Sequence, residues 1–168
     1  MNEGNLRPLE AGQTPNYELV RLEHNDIADL IQESQHAFLQ SVKSPDETTE
    51  SLINKLMSDP TFEIFGYMVG QQAISYIVGL DSSDGLRASI GPMYVSKEYR
   101  GFGLGKAQVA DFLEVHNQRG FVSFYTKTWS ENKASRRTFE QLGFIQIARK
   151  ENDRVNGDAT IEYQLTHS

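Results

Sequence analysis

Apolar residues recur along this chain with two rhythms, one of about two residues and one of about 3.6, and each change of rhythm marks an element. Residues 1 to about 16 follow neither rhythm and contain Pro8, Gly12 and Pro15, so an irregular arm is expected there. Alternation in YELVRL (17–22) predicts a first strand. From Asp26 to about Val42, Ile27, Leu30, Ile31, Ser34, Phe38 and Leu39 share one helical face. A second helix is expected in SPDETTESLINKLMSDP, with Ser44 as N-cap, Pro45 at the first helical position, acids in the first turn and a stop at Pro60. FEIFGYMV, QAISYIVGL and RASIGPMYV are β-rich segments between turn residues and predict an antiparallel meander. A glycine-rich stretch then leads into a helix to about Gln118, stopped by Gly120. FVSFYTKTW predicts a strand, SENKASRRTFEQLG a capped helix closed by Gly143, and FIQIARK and ATIEYQLTH two strands around the turn NDRVNGD. The order β-α-α-β-β-β-α-β-α-β-β describes an α/β (α+β) fold with seven strands and four helices. With no repeat, low-complexity run or linker, residues 17–168 read as one domain.

Composition narrows the chemistry. At 168 residues the chain can bury one core, and it is too short for two ordinary domains. No apolar run approaches the roughly 18 residues of a membrane span, and the N-terminus has neither the basic start nor the apolar stretch of a secretory signal. The absence of cysteine excludes disulfides, thiolate metal sites and cysteine nucleophiles, and suits a cytoplasmic protein. A net charge of −7 argues against a broad nucleic-acid surface, which needs a basic face.

The stretch VSKEYRGFGLGKAQVADFLEVH sets Gly101, Gly103 and Gly105 at alternate positions between a strand and a helix. Amides at a helix N-terminus are unpaired donors with partial positive charge, and glycines let the preceding loop aim its own amides at the same point, which makes an anion cradle. The P-loop pattern does not fit, because Arg100 stands where its first glycine should be and Ala107 follows Lys106. The dinucleotide fingerprint fails as well, since Lys106 occupies its third small position. Arg100 and Lys106 bracket the glycines and make this loop basic within an acidic protein. In the strand before it, Gly91 breaks regular geometry and Pro92 cannot donate to a ladder, so pairing is expected to loosen there. A parted strand beside an anion cradle suits a long ligand with amide groups of its own.

These residues resemble the GCN5-related N-acetyltransferases over roughly residues 17–167. Arg100, Gly103 and Gly105 match the family's acyl-CoA signature of Gln or Arg, two residues, Gly, one residue, Gly or Ala. Downstream, NKASRRTFEQLGF is similar to the family's block of Asn, six residues, an aromatic, three residues and Gly-Phe. The resemblance implies a mixed, mostly antiparallel seven-stranded sheet with splayed central strands. It also implies that acetyl-CoA sets its pyrophosphate on the amides of Gly101, Phe102, Gly103, Leu104, Gly105 and Lys106, with Arg100 beside them. The pantetheine arm would lie like an added strand against Met93, Tyr94 and Val95, and Asn132, Ser135 and Phe139 would meet it from the last helix.

Acetyl transfer from a thioester needs a neutral amine, a stabiliser for the oxyanion and preferably an acid for the thiolate. A main-chain amide of residues 92–94 would serve the oxyanion. The family's usual acid is a tyrosine, and Phe139 occupies that position, seven residues after Asn132. Tyr94, Tyr125 or Ser135 could stand in, or the protein could bind acyl-CoA without turnover. For the base, Glu63 and His36 are candidates, as is a water chain held by them, since Ala88 and its neighbours offer no carboxylate. The acceptor, a small-molecule or peptide amine, would meet the loop between the first two helices and the turn 151–159, where Asp46, Asp153 and Asp158 could attract an amine and Arg154 a carboxylate or phosphate. His24, His116 and His167 show no ligand spacing, so no metal is expected. Many members of the family pair as dimers. A catalytically idle acyl-CoA module and a nucleotide-phosphate protein are the competing readings.

Overall fold

A computed structural model describes residues 17–38 and 42–167. The expected arm (1–16) and part of the end of the first helix (39–41) lie outside the described residues, as does the side chain of His36. The strands are β1 (Val20–Leu22), β2 (Phe62–Gly66), β3 (Met68–Val69), β4 (Gln72–Ala73), β5 (Ser75–Asp81), β6 (Arg87–Val95), β7 (Ser123–Trp129), β8 (Ile145–Lys150) and β9 (Thr160–Thr166). The helices are α1 (Ala28–Phe38), α2 (Thr49–Leu56), α3 (Leu104–Gln118) and α4 (Lys133–Gln141). Seven strands form one sheet in the order β1-β2-β5-β6-β7-β9-β8, and β3 and β4 form a separate hairpin. Within the large sheet only β6 and β7 run parallel. The expected mixed, mostly antiparallel sheet with four helices is therefore what the chain adopts.

Strand alternation divides the core between the two faces of the sheet. Ile77, Ala88, Ile90, Phe124 and Ile161 pack with Val109 and Phe112 of α3 and Phe139 of α4. Tyr76, Val78, Ile64 and Leu22 turn the other way, onto Leu30 and Ile31 of α1 and Ile53 of α2. Two local expectations are corrected. Helix α2 begins at Thr49, because Thr48 and Ser51 cap one another: the Thr48 hydroxyl accepts the Ser51 amide at 3.0 Å and the Thr48 amide donates to the Ser51 hydroxyl at 2.9 Å. Ser44 instead closes a turn through its carbonyl, which accepts the Glu47 amide. The expected strands are also shorter: FEIFGYMV breaks at Tyr67 into β2 and β3, just after Gly66, where a Cβ would stand 2.1 Å from the Ser75 carbonyl oxygen, and QAISYIVGL breaks at Ile74 into β4 and β5.

The sheet opens at its centre. The β6–β7 register runs from Arg87↔Ser123 to Ile90↔Thr126 and stops, while β6 stays paired with β5 to Val95 and β7 with β9 to Trp129. Thr126 marks the vertex, its hydroxyl donating to the Ile90 carbonyl at 3.2 Å. Opposite the vertex the pairs Gly79↔Ile90 and Ile77↔Met93 match two steps on β5 with three on β6, so β6 carries the extra residue of a bulge at Gly91–Pro92. That extra residue reverses the alternation. Ala88, Ile90 and Met93 face α3, whereas Tyr94 faces α1.

Candidate active site

The parted strands enclose a cleft of about 360 Å³ that reaches both faces of the sheet. Gly91, Pro92 and Met93 line it from β6, and Tyr125, Lys127 and Trp129 from β7. Ser135 and Phe139 close it from α4, and Glu47, Thr48 and Arg154 from the opposite face. Among the described residues no strand pairs with the β7-facing backbone of residues 91–95, which leaves donors and acceptors for a ligand.

Beyond the end of β6 lies the glycine loop. Gly101 and Gly103 adopt φ of +84° and +78°, where a side chain would be strained. Gly103 is the N-cap of α3 and offers no side-chain acceptor, and the first turn holds no acid. Gly105 differs, since its φ is not positive and a Cβ there would meet nothing within 4 Å. Glycine in a helix costs up to about 1 kcal/mol relative to alanine, so folding alone gives no reason for it at this position. Leu104 is buried against Tyr67 and Ile74 and anchors the loop, with Tyr67 donating to Asp111 of α3 at 2.6 Å. Phe102 is half-buried, and Lys106 is exposed. Arg100 folds back over the Tyr94 ring, 4.8 Å from its centroid, and donates to the Val95 carbonyl at 3.1 Å.

The residues expected to do chemistry separate into those the fold brings to the cleft and those it does not. Tyr125 is there, and its pKa is pushed up to about 12, by burial first and by the neighbouring Glu162 carboxylate second. Ser135 and Asn132 line the cleft too, but the Asn132 side chain caps α4 through the Ser135 amide at 3.2 Å and donates to Thr128 at 3.0 Å. Phe139 lines it while buried between Phe144 and Tyr163, with ring centres 5.5 and 5.8 Å away. The Tyr94 hydroxyl lies on the α1 face, held by the Glu33 carboxylate at 3.3 Å, because the bulge turns this residue over. Glu63 sits on β2, clear of the cleft, with Arg119 at 2.5 Å and Arg21 at 3.2 Å on its two oxygens. Its neighbours are Asp81 and His116, ligand atoms of all three lying within 4.8 Å of one another. His116 is fully buried, its Nδ1 bonded to the Phe112 carbonyl and its Nε2 3.2 Å from Asp81, whose pKa is raised by burial. Sequence spacing gave no sign of this cluster, because its members come from β2, β5 and α3.

On the acceptor side, Arg154 of the 151–159 turn lines the cleft. Asp46 is exposed, Asp158 pairs with Asn156, and Asp153 binds Lys43 at 2.6 Å and Thr160, which together hold its carboxyl near a pKa of about 2. Sequence reasoning missed Glu47 and Lys127. Glu47 stands just before the capped start of α2, and Lys127 is a charge in the alternating run FYTKTW, which was the available signal. Burial and the nearby Lys43 and Arg154 lower the pKa of Lys127. Among the described residues no helix is long and apolar enough to cross a membrane.

Comparison with known proteins agrees with this architecture. Residues 25–144 match the Acetyltransferase (GNAT) family. N-alpha-acetyltransferase 30 of Schizosaccharomyces pombe is 28% identical over 130 residues, which cover 68% of this chain and 87% of that protein. Among solved structures, Ard1 from Thermoplasma volcanium superposes with a TM-score of 0.72 at 19% identity, covering 90% of this chain and 97% of its own. The structure of yncA from Salmonella typhimurium with its cofactor acetyl-CoA gives a TM-score of 0.72 at 18% identity over 92% of this chain and 95% of its own. At these identities the structural matches speak for the fold.

Proposed function

The chain belongs to the acetyltransferase (GNAT) family, and from that premise we propose that it transfers an acetyl group from acetyl-CoA to a primary amine by direct attack in a ternary complex. The observation that carries this reading is the end of β6–β7 pairing at Ile90, which opens β6 as an edge leading into the uncapped amides of α3. Pyrophosphate would rest on residues 101–106, with Arg100 and Lys106 as charge partners. The acyl arm would pair with the open edge at Met93, Tyr94 and Val95 as an added strand, with Asn132, Ser135 and Phe139 on its other side.

The acceptor nitrogen attacks the thioester carbon, the oxyanion is held by a main-chain amide near the bulge, and the C–S bond breaks to release CoA thiolate. Glu47, the carboxylate among the described cleft residues, takes the proton of the attacking amine, directly or through water. Phe139 has no proton to give, and burial beside Glu162 makes the Tyr125 hydroxyl hold its proton more tightly. The thiolate therefore takes its proton from water. Phe139 also favours a second reading, an acyl-CoA-binding module that does not turn over. Thiol release from acetyl-CoA in the presence of an amine panel separates them. The enzyme gives amine-dependent release, and the module binds acetyl-CoA with only background hydrolysis.

A further inference from the structure

The acceptor half of the cleft carries opposite charges on its walls. Glu47 lines it beside the cap of α2, and Lys127 and Arg154 line it from β7 and the turn after β8. The Lys127 side chain makes no hydrogen bond or ion pair among the described residues, because the nearby acids already have partners. Asp153 binds Lys43 and Thr160, and Glu162 binds Lys150 at 2.5 Å. Lys127 is thus an exposed cation on the cleft wall whose charged neighbours include Lys43, Arg154 and Lys150, while Glu162 beside it is already taken by Lys150. Cations gathered on one wall of a cleft draw in an anion from outside. The space is also small. A cleft of about 360 Å³ lies at the low end for a drug-sized ligand, and part of it must admit the acyl arm.

We infer that the acceptor is a small zwitterion, an amino acid, whose amine lies towards Glu47 and whose carboxylate is held by Lys127 with Arg154. This rests on the acetyl-transfer reading of the same cleft. A peptide N-terminus lacks that anion beside its amine, because its carboxyl is tied up in the next peptide bond.

The test measures thiol release from acetyl-CoA with the common amino acids and, separately, with their carboxamides, at matched concentrations of neutral amine. The preferred amino acid is expected to exceed its amide in kcat/KM by roughly tenfold to a hundredfold, the range of one charge-assisted hydrogen bond. Lys127→Met should collapse that ratio towards one, and Lys127→Arg should restore part of it. A thermal melt of each variant, with acetyl-CoA titrated in parallel, reports whether the cleft has survived. Amides or short peptides used as well as the free acids, by protein that binds acetyl-CoA and turns over, would overturn this inference alone. Absence of acetyl-CoA binding would overturn the acetyl-transfer reading and this inference with it.

Discussion

Along β6 and the loop after it, the cleft offers backbone: an unpaired strand edge from Gly91 to Val95 and the amides around Gly101, Gly103 and Gly105. Across from it the cleft offers side chains, Glu47 from the start of α2, Lys127 from β7 and Arg154 from the turn before β9. Backbone recognition needs only the residues that shape the chain, so the same wall can take any ligand built of amides and phosphates. Side-chain recognition depends on which charges three distant segments bring together. The first wall suits a constant cofactor, and the second a particular acceptor.

The strongest way to break this division is Gly103→Glu. It forces a side chain into φ +78° and sets a carboxylate in the phosphate cradle, so acetyl-CoA affinity should fall more than about a hundredfold. The added Cβ meets nothing within 4 Å, so calorimetry should find the protein still folded. On the opposite wall, Glu47→Gln should lower kcat about a hundredfold, the low end for a lost general base, while acetyl-CoA still binds. A smaller change in steady-state rate would show that water takes the proton unaided.

Phe139→Tyr restores a hydroxyl and should raise kcat about tenfold or more if thiolate departure limits the rate. Its buried position between Phe144 and Tyr163 makes a small loss of stability the accompanying expectation. Gly105→Ala sharpens the backbone claim most cleanly. Helix propensity should leave stability equal or higher by up to about 1 kcal/mol, while the methyl group weakens acetyl-CoA binding about tenfold by standing between amide and phosphate. Equal affinity would mean that no ligand approaches there.

The smallest expected effect is in the pH profile. Lys127 has a depressed pKa, so its positive charge is complete at low pH and lost as pH rises through a value below 10.5. Attack by the acceptor amine gains with pH, so kcat/KM for an anionic acceptor should rise and then fall. Lys127→Arg should move the falling limb upward, because guanidinium keeps its proton. An unchanged limb would assign it to another group.

The same contrast governs how much was legible in the sequence. Strand β6 and helix α3 follow the patterning closely, and Gly91–Pro92 announced the opening of the sheet, because glycine and proline act on their own backbone. The start of α2 was misread because Ser44 and Thr48 are both competent caps, and only the reciprocal bonds with Ser51 favour the second. Tyr94 was expected at the cleft, yet one extra residue in β6 turned its ring to α1. Glu63 was expected as a base, but Arg21 and Arg119 hold it two strands from the vertex. Glu47 and Lys127 carried too little local signal, since a charge becomes a site only through what the fold places opposite it.

Isothermal titration of acetyl-CoA, with ATP as comparator, reads whether the glycine loop and the open edge of β6 act on one ligand. Binding with micromolar affinity, with ATP at least about tenfold weaker, is the expected result, because only acetyl-CoA has amides for the open edge of β6 as well as phosphates for the glycine loop. Equal binding of the two would leave a phosphate cradle without a strand-pairing arm, and no binding of either would reduce the glycines to a turn.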